Sequence, residues 1–239
     1  MSIGILDSTA FHRGSLLWIC FTSIYKTSTV KSDRISLINY TMSQKPFSQA
    51  CENNKTPILE IIRHVFANTR YVFEIGSGTG QHACYFAKHL AHLVWQPTDK
   101  PENIQGINLW QETSALANLK PAIALNITDE IWPCDTIEAA FTANTLHIMS
   151  EQTVQLGFDQ LCKRLTPKAL LCIYGPFNYN GNYSSDSNAQ FDSWLKNQNP
   201  LSGIKNSEDI VSLAADRGLS LIHDFDMPAN NQLLVLQNS

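Results

Sequence analysis

The chain has 239 residues, of which 44% are hydrophobic and 16% are charged, a balance typical of a globular domain with a sizeable core. The formal net charge of −4 argues against a general binder of nucleic acid or of membrane surfaces, because phosphate groups require a basic face. The six cysteines lie far apart without a Cys-x-x-Cys pair, so we expect reduced thiols in the cytoplasm, with no metal site and no disulfide framework.

The first 41 residues differ from the rest of the chain. They carry a local net charge of +2, so the remainder carries −6. The apolar stretch SLLWICF (15–21) is too short to cross a bilayer, and no clear signal-peptidase site follows it. We therefore predict a poorly ordered extension over 1–41, with an over-called start codon and Met42 as the native start, and a single domain over 42–239. An intact mass that includes residue 1 would refute the alternative start.

From about residue 55 onward, helical and strand-like patterns alternate. The first predicted helix has Thr56 as its N-cap and Pro57 in its first turn, and the last one ends at Gly218. Short apolar runs predict strands at 71–75, 92–99, 122–127, 139–148, 169–177, 219–227 and 232–237. This alternation indicates an α/β fold: a mostly parallel seven-stranded sheet with helices on both faces and an antiparallel edge strand from the final hairpin.

The stretch YVFEIGSGTG (71–80) places three glycines between the first strand and the next helix. Gly76, Gly78 and Gly80 permit positive φ angles and remove the Cβ atoms that would keep a ligand away from the backbone. Asp99 ends the second strand, where a carboxylate can accept hydrogen bonds from both ribose hydroxyls. The pattern therefore predicts a ligand with a ribose; a purely structural turn is the alternative.

The spacing of the loop narrows the choice of nucleoside. A dinucleotide loop has the form G-x-G-x-x-G and a P-loop ends in Lys-Ser or Lys-Thr, whereas this loop reads G-x-G-x-G and is followed by Gln81. A nicotinamide-dependent oxidoreductase is therefore disfavoured. Glu74 precedes the loop, where a carboxylate suits an amino group and would repel a pyrophosphate. In this form the motif resembles the first motif of the class I S-adenosylmethionine-dependent methyltransferases.

The resemblance extends along the chain. FEIGSGTGQHACYFA, WQPTD, YGPF and MPANN, with FSQACENNKTPILE upstream, are similar to segments of the methyltransferase-like protein twenty-six family, a family of unknown function. The similarity covers about residues 46–237. It implies a Rossmann-like class I methyltransferase fold with S-adenosylmethionine as the cofactor, without implying a substrate.

The resemblance also implies roles for the residues at the strand ends. Glu74 would lie near the methionine amino group, the glycine loop beneath the cofactor and Asp99 at the ribose. The exit of the third strand would contact adenine, and the exit of the fourth strand would contact the methionine part. The implied cofactor-binding residues are Glu74, Gly76, Ser77, Gly78, Thr79, Gly80, Asp99, Asn126, Ile127 and Asn144.

A catalytic base is needed only if the acceptor must lose a proton. His147 in NTLHI and Tyr174 near the end of the fifth strand are the candidates, with ordinary packing at a strand end as the alternative for each. GPFNY (175–179) resembles the N-P-P-[FY] signature of enzymes that methylate amino groups. Because it follows the fifth strand rather than the fourth, we do not favour methylation of an exocyclic amine or an amide.

The long polar segment from Tyr174 to Trp194 predicts a lid that faces the substrate, with a solvated connection as the alternative. By the resemblance, the segment 47–60 would fold over the same cleft. The candidate substrate-binding residues are Asn53, Lys55, Phe177, Asn178, Tyr179 and Tyr183.

Together these features favour an enzyme that transfers a methyl group by direct displacement to a small molecule in a closed cleft. Protein acceptors stay open, and neither a nucleic acid nor a membrane is expected as a partner. The alternative is an inactive S-adenosylmethionine-binding module that acts as a sensor or an interaction protein.

Overall fold

The computed structural model describes residues 44–239, so the extension predicted over 1–41 lies outside the described residues. The helices in this range are α1 (Gln49–Val65), α2 (Gln81–His89), α3 (Ile104–Ser114), α4 (Glu151–Cys162), α5 (Asp186–Gln198) and α6 (Ser207–Ala215). The strands are β1 (Tyr71–Ile75), β2 (Val94–Asp99), β3 (Ile123–Ala124), β4 (Ile137–Ala143), β5 (Leu165–Gly175), β6 (Phe177–Asn178), β7 (Lys205–Asn206), β8 (Leu219–Met227) and β9 (Asn231–Asn238). None of these helices combines the length and the apolar character needed to cross a membrane.

Seven of these strands form one mixed sheet in the order β3-β2-β1-β4-β5-β9-β8. Strands β1 to β5 are parallel, and β9 runs antiparallel to both of its neighbours. The predicted fold, a mostly parallel seven-stranded sheet with an antiparallel strand at one edge, is confirmed, and the antiparallel strand is β9, next to the outermost strand β8. The strand order reverses between β1 and β4, and ligands of such sheets bind beyond the carboxyl ends of the strands at that point.

Helix α1 begins earlier than the sequence predicted. Its N-cap is Ser48, whose hydroxyl accepts a hydrogen bond from a backbone amide of the first turn, and not Thr56. Pro57 therefore lies inside the helix, where it leaves one carbonyl of the preceding turn without its usual donor. The helix continues through the proline because its apolar face is buried against α2 and the sheet. As a result, the first turns of α1 extend towards the glycine loop.

The sheet has a hydrophobic core on each face. On the α1 and α2 face, Phe86, Trp95 and Phe141 form an aromatic cluster with ring centroids 5.4 to 5.6 Å apart. Phe73 belongs to the core on the opposite face, which α4 and α6 cover. Successive side chains of a strand alternate between faces, so Glu74 points into the aromatic face and lies buried there.

Candidate functional site

The glycine loop, residues 76–80, connects β1 to α2 through three left-handed glycines, with φ angles of 70°, 58° and 86°. A Cβ atom on Gly76 would lie 2.4 Å from Thr145 Cγ2, so a close approach of the chain requires this glycine. A Cβ atom on Gly78 would meet nothing within 4 Å. The side of the loop at Gly78 is therefore open, and a ligand can reach the backbone there.

Glu74 is a buried carboxylate directly beneath this loop, with 2% of its surface exposed. Its Oε2 accepts hydrogen bonds from Ser77 Oγ at 2.8 Å and from Trp95 Nε1 at 3.0 Å. Burial raises the pKa of Glu74 to about 7, although both hydrogen bonds lower it, and the charge of Asp99 adds to the increase. A cationic amino group beside Glu74 would offset this cost of burying the carboxylate.

Asp99 ends β2 at the tip of the loop. Its Oδ2 accepts a 2.6 Å hydrogen bond from the Gly78 amide. Its Oδ1 accepts from the Lys100 amide at 2.7 Å and from Asn103 Nδ2 at 2.8 Å. Each carboxylate oxygen can accept two hydrogen bonds, so Oδ2 retains capacity for a hydroxyl donor.

Gln81 connects α1 to the glycine loop, and sequence reasoning missed it. Its Oε1 accepts hydrogen bonds from the Ser48 amide at 2.5 Å and from Thr79 Oγ1 at 3.0 Å. Its Nε2 donates to Glu52 Oε1 at 2.7 Å. The signal in the sequence was a long amide immediately after Gly80, where the helix has no side-chain cap of its own.

A second polar group that the sequence did not predict lies behind the loop. His82 Nε2 and Asn54 Oδ1 are 2.6 Å apart, and the Asn54 amide lies beside the Tyr174 hydroxyl. The imidazole of His82 stacks on the Phe86 ring, with the ring centroids 5.2 Å apart. Burial lowers the pKa of His82 to about 4 and raises that of Tyr174 to about 12, so both side chains are neutral at pH 7.

The exit of β4 carries Asn144 and His147. Asn144 has a positive φ of 58°, and its amide donates to the Tyr174 carbonyl at 2.8 Å. His147 is buried, and its ring packs edge-to-face with the Phe191 ring, with the ring centroids 5.2 Å apart. Burial, followed by the nearby Lys205, lowers the pKa of His147 to about 4. Within residues 44–239 its ring nitrogens make no hydrogen bond, and the residue is 6% exposed.

The predicted adenine contacts lie beyond a third strand that is shorter than expected, Ile123–Ala124. Asn126 is exposed in the turn that follows. Ile127 packs towards α4, where a Cβ atom on Gly157 would lie only 2.6 Å from Ile127 Cδ1. Asn126 is therefore exposed, while Ile127 is partly in the core.

The segment after β5 contains most of the predicted substrate residues. Phe177 is 2% exposed and packs in the core on the α4 face. Asn178 Oδ1 is the one sealed side-chain polar atom without a hydrogen bond in the described part of the chain. Tyr179 donates its hydroxyl to Asp224 Oδ2 on β8 at 2.8 Å. The contacts of Phe177 and Tyr179 are thus within the protein, and their roles towards a substrate stay predictions.

The other substrate candidates lie nearer the surface. Tyr183 donates to Asp192 Oδ2 at 2.7 Å. Asn53 is exposed on α1, and Lys55 forms an ion pair with Glu52. No group of three His, Cys, Asp or Glu side chains within residues 44–239 is placed to hold a metal ion.

Several solved structures share this architecture at low sequence identity. An O-methyltransferase family protein from Burkholderia thailandensis is 16% identical, with a TM-score of 0.69 over 77% of this chain and 56% of that one. An O-methyltransferase family 2 protein from Planctomyces limnophilus, in complex with apigenin, is 12% identical, with a TM-score of 0.70 over 80% of this chain and 58% of that one. NcsB1, an O-methyltransferase from neocarzinostatin biosynthesis in complex with S-adenosylmethionine and 2-hydroxy-5-methyl naphthoic acid, is 11% identical, with a TM-score of 0.65 over 80% and 55%.

The present chain spans just over half the length of these proteins and has the class I methyltransferase fold that they share. Residues 45–238 match the protein family of unknown function DUF938. The match includes the glycine loop, Asp99 and the exit of β4. The chain therefore belongs to the DUF938 family.

Proposed function

We propose that this protein is an S-adenosylmethionine-dependent methyltransferase that acts on a small-molecule acceptor. The observation that carries the proposal is the pair of carboxylates on either side of the open glycine loop. Glu74 lies beneath the loop, and Asp99 holds the Gly78 amide at its tip at 2.6 Å. One carboxylate suits an ammonium group and the other suits a ribose diol, whereas both would repel the pyrophosphate of a dinucleotide.

The residues of the site fit this cofactor. The space at Gly78 is free of protein atoms within 4 Å of an added Cβ, which leaves room for a ligand against the backbone. When bound, S-adenosylmethionine would supply an electrophilic methyl group. Glu74 would hold the methionine ammonium, Asp99 the ribose and Asn144 the methionine part. The loop Gly76, Ser77, Gly78, Thr79 and Gly80 would form the floor, with Asn126 and Ile127 at adenine.

His147 is the residue that we propose to take a proton from the acceptor. Its imidazole is neutral because its pKa is lowered to about 4, and its nitrogens are free of hydrogen bonds to residues 44–239. Tyr174 is unsuited to this role, because a pKa of about 12 keeps its phenol protonated at neutral pH. We therefore infer that Tyr174 acts as a hydrogen-bond donor.

A small acceptor is supported by two of the structural neighbours, which bind apigenin and a naphthoic acid. The acceptor would lie near Phe177, Asn178, Tyr179 and Tyr183, with Asn53 and Lys55 at the edge of the cleft. Membership of the methyltransferase-like protein twenty-six family is supported by the segments quoted above. The cytoplasmic location is supported by the free cysteines of the described residues.

The first test is a calorimetric titration of the full chain with S-adenosylhomocysteine. We expect saturable binding that is at least about tenfold weaker in Asp99→Ala, because a hydrogen bond to a charged group contributes about 1.5–3 kcal/mol. Asp159→Ala serves as the matched control, since Asp159 forms an ion pair with Arg217 between α4 and the end of α6. If the titration of the parent chain shows no binding of S-adenosylhomocysteine, the proposal is overturned.

A binding module without catalysis is the second candidate. It is favoured by the absence, among residues 44–239, of a carboxylate bonded to the His147 ring, since catalytic histidines are commonly oriented by such a partner. Incubation with S-adenosylmethionine and a cell extract separates the two functions. Formation of S-adenosylhomocysteine that His147→Ala abolishes supports the enzyme, whereas tight binding without turnover supports the module.

A further inference from the structure

His82, Asn54 and Tyr174 form a buried polar row in an otherwise apolar core. Their exposed fractions are 5%, 9% and 3%, and they lie among the residues that α1 and α2 bury against the sheet. Removing polar groups from water is unfavourable unless they bond to one another. Apolar side chains would fill the same space without that cost, so the row calls for a function.

The donor and acceptor groups of these three side chains allow only one direction for the hydrogen bonds along the row. An amide oxygen only accepts hydrogen bonds, so the 2.6 Å contact between His82 Nε2 and Asn54 Oδ1 requires the proton to be on Nε2. With its oxygen turned to His82, Asn54 presents its NH₂ group to the phenol oxygen of Tyr174. The hydroxyl hydrogen of Tyr174 therefore points away from Asn54.

That hydroxyl is buried, since Tyr174 is 3% exposed. In residues 44–239 the sealed side-chain polar atom without a partner is Asn178 Oδ1 alone. The Tyr174 hydroxyl donates no hydrogen bond to an acceptor within residues 44–239. Tyr174 thus offers a free, oriented donor at the end of β5.

Tyr174 is on the same face of the sheet as Glu74. Glu74 pairs with Phe141 and Phe141 pairs with Cys172, and Tyr174 follows Cys172 by two residues towards the carboxyl edge. Two strand spacings, about 10 Å, separate the strands of Glu74 and Tyr174. In addition to burial, the charge of Glu74 raises the pKa of the Cys51 thiol on α1, and Cys51 raises the pKa of Tyr174. Glu74 and Tyr174 therefore lie on the face of the sheet that α1 and α2 cover.

We propose that the Tyr174 hydroxyl binds the carboxylate at the methionine end of the cofactor, opposite Glu74 at the ammonium, and that His82 and Asn54 are positioning residues that aim it. This assignment rests on the proposed function. An amino-acid group carries one charge of each sign, so a site with a carboxylate for the ammonium also needs a donor for the acid. The Lys55 ammonium on α1 does not fill this role, because it forms an ion pair with Glu52. Tyr174 is a donor at every physiological pH.

The test compares two ligands that differ only in the amino-acid group. S-adenosylhomocysteine carries the amino-acid end, whereas 5′-methylthioadenosine keeps the nucleoside and the sulfur but lacks it. We expect Tyr174→Phe to weaken S-adenosylhomocysteine about tenfold to a hundredfold, the effect of one hydrogen bond to a charged group, and to leave 5′-methylthioadenosine unchanged. Tyr85→Phe is the matched control, because it removes a 3.1 Å hydrogen bond to Thr56 on the exposed side of α2.

Asn54→Asp tests the direction of the row without removing Tyr174. A carboxylate at position 54 would accept the Tyr174 hydroxyl and leave no donor for the ligand. The same selective loss of S-adenosylhomocysteine is therefore expected. His82 is tested with two variants. His82→Leu should show the same selective loss of affinity for S-adenosylhomocysteine, and His82→Gln, which keeps an N–H donor, should retain part of that affinity. Circular dichroism and thermal unfolding confirm that each variant is folded.

The outcomes separate this assignment from the proposed function. If the parent chain binds neither ligand, both fall together. If it binds both and Tyr174→Phe weakens them equally or not at all, the cofactor site stands and the assignment of Tyr174 is wrong. Selective weakening in both Tyr174→Phe and Asn54→Asp, with Tyr85→Phe unchanged, supports the assignment.

Discussion

The Gly78 amide donates a 2.6 Å hydrogen bond to Asp99 Oδ2, which joins the tip of the glycine loop to the end of β2. A ribose that binds Asp99 must share this oxygen with the loop. The shape of the loop and the affinity for a nucleoside are therefore coupled through one carboxylate. Asp99→Ala removes a ligand contact and the anchor of the loop together, which is why the matched control on α4 is needed.

Binding of S-adenosylhomocysteine should depend on pH through Glu74. The pKa of Glu74 is raised to about 7 by burial, so the free protein holds this carboxyl neutral below pH 7 and charged above it. A ligand ammonium favours the charged form, so binding below pH 7 releases a proton. The association constant should rise by up to about tenfold per pH unit towards pH 7 and level off above it.

Titration calorimetry in two buffers of different ionisation enthalpy measures this proton release. Glu74→Gln should bind more weakly and show no such pH dependence. A parent affinity that stays flat between pH 5 and pH 7 would contradict the role of Glu74 at the ammonium.

Folding stability should fall in mild acid because of His82 and His147. Burial lowers both folded-state pKa values to about 4 from 6.5, so the unfolded chain binds these protons first. Their contribution is complete above pH 6.5 and is lost as the pH falls towards 4, by about 3 kcal/mol for each histidine. Urea unfolding at pH 5 and pH 7 measures the difference.

Glu74 contributes with the opposite sign. Its folded pKa lies above the unfolded value of 4.5, so its contribution to stability is lost as the pH rises from 4.5 through about 7. His147→Gln should therefore reduce the loss of stability in acid, whereas Glu74→Gln should increase it. Equal acid sensitivity of the parent and His147→Gln would show that this imidazole is not held neutral.

Two alanine substitutions in the loop should separate folding from binding. Gly76→Ala places a Cβ atom 2.4 Å from Thr145 Cγ2 and should destabilise the fold by more than the roughly 1–2 kcal/mol of a left-handed alanine. Gly78→Ala meets no protein atom within 4 Å, so it should lose only the roughly 1–2 kcal/mol of a left-handed alanine and, in addition, ligand affinity. Thermal unfolding and calorimetry of both variants measure the two effects.

The clash at Gly76 has a specific remedy. Thr145→Ser removes Cγ2 but keeps the hydroxyl that bonds to Thr142 at 2.5 Å. The double variant Gly76→Ala/Thr145→Ser should recover part of the lost stability. No recovery would mean that strain at the positive φ angle, rather than the contact, dominates.

Gln81 should control how firmly α1 lies against the loop. Gln81→Ala removes the contacts to the Ser48 amide and to Glu52, so hydrogen exchange in the first two turns of α1 should become faster while β1 stays protected. Gln49→Ala is the control, since its 2.9 Å hydrogen bond to Asn53 lies on the exposed side of the same turns. Unchanged exchange in Gln81→Ala would show that apolar packing alone holds α1.

Local patterns predicted the sheet and the glycine loop well. The alternation of strands and helices is a local property, and so is a carboxylate at the end of a strand such as Asp99. The start of α1 was predicted wrongly because Pro57 is a strong local signal for a first turn. Burial of the apolar face, a tertiary effect, extended the helix back to Gln49.

The polar row behind the loop was missed because its contacts are distant in sequence. Asn54 and His82 are 28 residues apart, and nothing near either residue announces the pair. One local sign was available: His82 is four residues before Phe86 and so shares the apolar face of α2. A polar side chain on such a face requires a buried partner.

Strand β9 lies between β5 and β8, although the ribosome makes β8 first. The nascent chain therefore cannot add β8 to the sheet until β9 has been translated and has paired with β5. Until then β8 has no strand to pair with, and the edge of β5 is unpaired. Four consecutive side chains, Leu233 to Leu236, are 0% exposed once β9 is in place. Removal of β9 would therefore detach β8 from the sheet as well, because β9 is the strand with which β8 pairs.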